Sequence, residues 1–125
     1  MAATAAVAAT YRDAFHTEIK SFLKNLCKTF EDDRELMMIT SSLHVALMDD
    51  PDNQVILQFR DALMPYREMV EKRDSAFFYQ AHANGTEYKL LTKLNVYWEQ
   101  LSVADQKVIW DYITLLFQLA RKMFV

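Results

Sequence analysis

Val108-Ile109-Trp110-Asp111-Tyr112-Ile113-Thr114-Leu115-Leu116-Phe117-Gln118-Leu119-Ala120 is the stretch of this 125-residue chain that decides its fold. Only Asp111, Thr114 and Gln118 in it are not apolar; with Lys107 and Arg121 they fall at 107, 111, 114, 118 and 121. On a helix of 3.6 residues per turn those positions form one stripe, which leaves the rest of the circumference apolar. The pattern predicts a C-terminal helix buried around most of its girth, with the stripe as its one water-facing side. Ser102, followed at the third position by Asp105, resembles a capping box and marks where that helix starts.

Working outward toward the N-terminus, residues 86–100 form a helix that turns Leu90, Leu91, Leu94, Tyr97 and Trp98 to the core. Asn84-Gly85 holds the single glycine and marks a loop over residues 81–85. Asp74-Ser75-Ala76-Phe77-Phe78-Tyr79 is short and aromatic and reads as one helical turn whose rings plug an end of the core. Pro65 interrupts a helix that opens after Asp52-Asn53 and faces Val55, Ile56, Phe59 and Leu63 inward. Lacking an N–H, it kinks the helix or starts a new short one ending at Glu71 or Lys72. Asp49-Asp50-Pro51-Asp52-Asn53 is the clearest loop, with Asp52 or Asn53 as the next cap. Before it, residues 33–48 make a helix capped by Asp32 or Asp33, with Leu36, Ile39 or Thr40, Leu43 and Leu47 inside. The first helix spans residues 8–29 on Phe15, Ile19, Phe22 and Leu26. Residues 1–10 are an Ala-rich arm that extends this helix or frays from it. No acidic residue precedes Asp13, as in a transit peptide, yet only one Arg precedes it.

The expectation is therefore an all-α fold: one domain over residues 1–125, a compact bundle of about five helices around a hydrophobic C-terminal helix. Composition agrees. Hydrophobic residues make up 52%, ample for a core at this length, while one Gly and two Pro are too few for the turns of a sheet. The net charge of −3 creates no general pull toward nucleic acid or anionic lipid. No apolar run reaches the roughly 18 residues of a membrane span. The lone Cys27 excludes an intramolecular disulfide and fits a reducing interior.

Motifs for chemistry are missing. Residues 50–61 mimic a calcium loop, with Asp50, Asp52, Gln54 and Asp61 at the first, third, fifth and twelfth positions. Val55 occupies the position that needs glycine, and Asp61 replaces the bidentate Glu, so the segment reads as an interhelical loop. His16, His44 and His82 have no partner at i, i+4, and a metal site would have to be assembled from distant helices. Cys27 lies near Lys24 and Lys28 but on the margin of an apolar face, where a cysteine acts as a small core residue. There is no nucleophile elbow, zincin helix or phosphate loop. The chain is expected to be no enzyme and to carry no metal and no cofactor; a cryptic metal or redox role would fall to His16, His44, His82 or Cys27.

Two surfaces remain. The apolar surplus of the last two helices, with the seven methionines, points to protein contacts. The candidate interface is Tyr97, Trp98, Trp110, Leu115, Phe117 and Phe124, meeting a protein partner or a second copy. The alternative is a small nucleic-acid-binding regulator using Lys20, Lys24 and Lys28, one turn apart on the first helix.

Met64-Pro65-Tyr66, Lys72-Arg73-Asp74 and Phe77-Phe78, together with Tyr97-Trp98-Glu99-Gln100-Leu101-Ser102, Ile109-Trp110 and Tyr112-Ile113, carry a further signal. Over roughly residues 15–124 the chain resembles short all-helical proteins of unassigned role encoded by large DNA viruses of algae and protists. Their W-x-x-L-S element precedes an I-W-x-Y helix, and a P-Y element lies mid-chain. Their start is more often Lys-rich, where this chain is Ala-rich. The resemblance carries over no catalytic residue. It implies a viral accessory or virion-associated protein in the cytoplasm or nucleus of an infected cell.

Overall fold

The computed structural model describes residues 5–83 and 89–124, and every regular element among them is helical. In order these are α1 (Ala5–Thr29), α2 (Arg34–Met48), α3 (Gln54–Leu63), a 3-10 turn (Met64–Tyr66) and α4 (Arg67–Glu71). Then follow α5 (Ala76–Ala83), α6 (Lys89–Tyr97), a second 3-10 turn (Trp98–Gln100) and α7 (Val103–Met123). The helix expected over residues 86–100 is thus divided, and its first three positions, like Asn84-Gly85, lie outside the described residues. The aromatic turn expected around Phe77 is a full α5, and the first helix begins within the Ala-rich arm, at Ala5.

Local chemistry explains the breaks. Pro65 stands in the first positions of a 3-10 turn, where its missing N–H costs nothing, so α3 ends and α4 restarts. Ser102 caps α7 by accepting from the Asp105 N–H at 3.1 Å. After α4, Asp74 N–H bonds Met69 O at 2.9 Å and Arg73 N–H bonds Val70 O at 3.1 Å. That pair of bonds is a Schellman close, and it puts Arg73 at φ 54, a left-handed position usually given to glycine.

One cluster of buried side chains draws on α1 through α7, with Phe15, Phe22, Phe59, Phe77, Phe78 and Phe117 its largest fully enclosed members. α7 runs antiparallel to α1, with the Tyr112 ring stacked on Phe22 and Lys122 over the Tyr11 ring, and it also packs on α3 and α4. Phe78 touches both Trp98 and Trp110, at centroid distances of 4.4 and 5.1 Å, closing one end of the core. Gln106 Nε2 seals that end through Trp98 O at 2.9 Å.

The C-terminal helix is central, yet less enclosed than its sequence implied. Val103, Val108 and Leu115 are exposed beside the polar stripe. Within the stripe Thr114 and Arg121 are half-buried, because α4 and its C-cap lie across them. Arg73 pairs with Asp111 at 2.7 Å, and Arg121 with Glu71 at 3.3 Å. The water-facing side is therefore a broader arc than the stripe, and part of the stripe is an ionic seam between α4 and α7.

Candidate protein-interaction surface

Asp33 fixes the N-terminus of α2. One carboxylate oxygen accepts the Leu36 N–H at 2.9 Å, and the other takes the Tyr97 hydroxyl and Lys93 Nζ, the latter at 3.0 Å. Lys93 also reaches Glu35 at 3.6 Å, and the Tyr97 ring stacks on Phe30 with centroids 4.1 Å apart. Burial by itself would raise the Asp33 pKa; the bonds from Tyr97, Leu36 and Lys93 outweigh it and bring the carboxyl to about 2. The same contacts push the Tyr97 phenol and the Lys93 ammonium above their ordinary values, with the bond to Asp33 the largest cause for both. This knot ties the α1–α2 turn to α6.

At the other end Asp50, rather than Asp52 or Asn53, caps α3. Its two oxygens accept from Gln54 N–H at 2.8 Å and Val55 N–H at 3.0 Å, while Asn53 takes the left-handed conformation at φ 54. The carboxylate that would open a calcium loop is thus spent on a helix. Cys27 Sγ lies 3.2 Å from Thr40 Oγ1, whose own proton goes to Leu36 O, so this contact binds the last turn of α1 to the middle of α2.

Between these two turns, α2 buries only Leu36, Ile39 and Leu47. Its outer side carries Met37, Met38, Val45 and Met48, which are 50, 70, 68 and 85% exposed. Met37, Ser41, Val45 and Met48 follow one another at four, four and three residues, a single row about 16 Å long. Beside this row runs a groove of about 850 Å³ between α2 and α6, lined by Met38, Ile39, Ser42 and Leu43 on one wall and Leu90 and Thr92 on the other. Glu35 and Lys89 also line it.

The interface residues expected from the sequence are dispersed. Trp98, Trp110 and Phe117 are core side chains, and Tyr97 is occupied in the Asp33 knot. Phe124 is half-buried at a cleft shared with Arg60 and Arg121, and Leu115 alone is well exposed, at 38%. The apolar side of α7 meets its own chain because α1, α3 and α4 cover it. The lysine row survives: Lys20, Lys24 and Lys28 are all exposed and enter no ion pair seen among the described residues. His16 is half-buried with Nε2 enclosed and unpartnered; burial, then Lys20 and Arg12, lowers its pKa. His44 is half-buried on α2, and the His82 side chain lies outside the description. Among the described residues no three metal-binding side chains gather, and no helix is long and apolar enough to cross a membrane.

No family model, curated protein or solved structure matches the chain.

Proposed function

We propose that the chain is a non-enzymatic protein-interaction or structural component, and that the outer face of α2 with the α2–α6 groove is where it meets its partner. The observation that carries this reading is the cluster of exposed Met37, Met38, Val45 and Met48 on one side of a helix whose N-terminus Asp33 fixes. Scattered apolar side chains are normal on a surface, but four on one side of a single helix, beside a groove, have the character of a contact site. Methionine suits it, since an unbranched, polarisable side chain adapts to a partner's shape. The likeness of the Trp98 and Trp110 segments to virus-encoded helical proteins supports an accessory or virion-associated setting within an infected cell.

A second reading, a nucleic-acid-binding regulator, has one observation in its favour: the unpaired, exposed lysines of α1. Against it stand the net charge of −3 and the absence of aromatic side chains along that row. A photo-crosslinking residue placed at position 38, 48, 24 or 115, in cells that naturally make the chain, separates the two. Protein adducts confined to positions 38 and 48 are the expected result. Nucleic-acid adducts at position 24, with none at 38 or 48, would favour the lysine face instead.

A further inference from the structure

The acidic residues around the α2 row say what kind of protein fits it. Glu31 and Asp32 are exposed just before the helix, and Asp49 and Asp52 just after it, so the apolar row has a carboxylate pair at each end. Arg34 and Lys89 are the cations facing this surface, and Glu35 already shares Lys93 with Asp33. Asp33 and Asp50 add no free charge to the face, being committed to Lys93 and to the α3 N-terminus.

This arrangement disfavours a second copy of the chain. If two α2 rows pack along their length in parallel, each acidic end meets its twin. In the antiparallel case Glu31 and Asp32 meet the other copy's Asp49 and Asp52, four carboxylates with Arg34 as the one cation of α2 to offset them. Either way, burying the methionines brings carboxylates together, a repulsive arrangement that selects against the symmetric pair. An anionic membrane is repelled for the same reason.

We infer that the α2 row and the α2–α6 groove take a basic amphipathic helix of a protein partner, whose apolar stripe covers Met37, Met38, Val45 and Met48 and whose lysines or arginines meet the carboxylates at either end. The inference rests on the proposed interaction role and adds the chemistry of the partner. A helix packed into an apolar groove anchors through side chains at i, i+3, i+4 and i+7, and the row on α2 presents the matching period. Basic residues at the ends steer the approach, while the methionines supply the contact area.

The test uses the full chain and two designed peptides of about 16 residues, long enough to span the row. Both carry the same leucine stripe; one is completed with lysine, the other with glutamate. Titrations are followed by calorimetry at low and at physiological salt. The lysine peptide is expected to bind at least about tenfold more tightly than the glutamate peptide, and more weakly as salt rises. A variant with Met38→Ser and Met48→Ser should lose about tenfold of that affinity. Combining Glu31→Lys, Asp32→Lys, Asp49→Lys and Asp52→Lys should invert the preference. These positions are exposed and cap no helix through their side chains, so thermal melts of the variants should match the parent; Lys24→Glu, on another face, is the control. Equal affinity for the two peptides, or a preference untouched by either variant, would overturn the inference. If crosslinks at positions 38 and 48 still capture protein, the interaction role stands and the basic partner falls; if those crosslinks are absent too, both fall.

Discussion

At the scale of single residues, Asp33 is the position on which the proposed interaction surface depends most. Its carboxylate combines an N-cap, a bond from Tyr97 and a pair with Lys93. Because its folded pKa is about 2, below the usual 3.8, its contribution is fully present above about pH 4 and is lost as pH falls through 2. Tyr97 and Lys93, both raised, contribute below their ordinary values near 10 and lose that contribution as pH rises through the folded ones. Chemical denaturation across pH should therefore show acid and alkaline limbs, and Asp33→Asn should flatten the acid limb. Asp33→Ala removes the cap as well and leaves the Lys93 charge partly stranded, at a cost of about 3 kcal/mol. An unchanged acid limb in Asp33→Asn would show that another carboxylate governs it. Arg73 makes a contrasting case. It holds a left-handed backbone, at a cost of about 1 kcal/mol, while its ion pair with Asp111 is largely exposed. Arg73→Gly should thus raise the thermal midpoint, and a fall would mean that the exposed pair outweighs the strain.

At the scale of elements, the helix ends were read in large part from local chemistry. Ser102 before α7, Asp33 before α2 and the break at Pro65 are short-range signals, each acting within a few residues of itself. Asp50 was missed as the α3 cap because it acts from four residues upstream of Gln54, outside the usual N-cap position. Asp50→Ala and Ser102→Ala should each cost about 1 kcal/mol in urea unfolding, and Asp52→Ala much less; equal effects of Asp50→Ala and Asp52→Ala would contradict the assignment. The proposed interaction surface was harder to see. The inner face of α2 was legible from Leu36, Ile39 and Leu47, while Thr40, the alternative to Ile39, and Leu43 are half-buried; that face leaves Met37, Met38, Val45 and Met48 outside by periodicity alone. Whether an apolar side is covered depends on partners far away in sequence: α1 and α3 cover α7, while nothing among the described residues covers the outer side of α2. The Asp33–Tyr97 bond, 64 residues apart, has no local signature either.

At the scale of the whole molecule, the all-α bundle with a central C-terminal helix follows from two facts of the chain: too few turn residues for a sheet, and one helix too apolar to lie on a surface. Trp98 and Trp110 stand out in the sequence because they close the core with Phe77 and Phe78, and that role explains them without any partner. Phe78→Ala should cost about 3–5 kcal/mol by emptying that closure, as read by thermal or denaturant unfolding. The acidic ends of α2 oppose self-association through its methionines, so sedimentation should find no dimer that Met38→Ser and Met48→Ser dissolve. The most direct measurement of the central claim is amide chemical-shift mapping of the isotope-labelled chain as the lysine-leucine peptide is added. Perturbations are expected over residues 37–48 and 90–92, with residues 20–28 and 108–115 unmoved. Shifts concentrated on the lysine row or on the exposed edge of α7, with α2 silent, would contradict that claim.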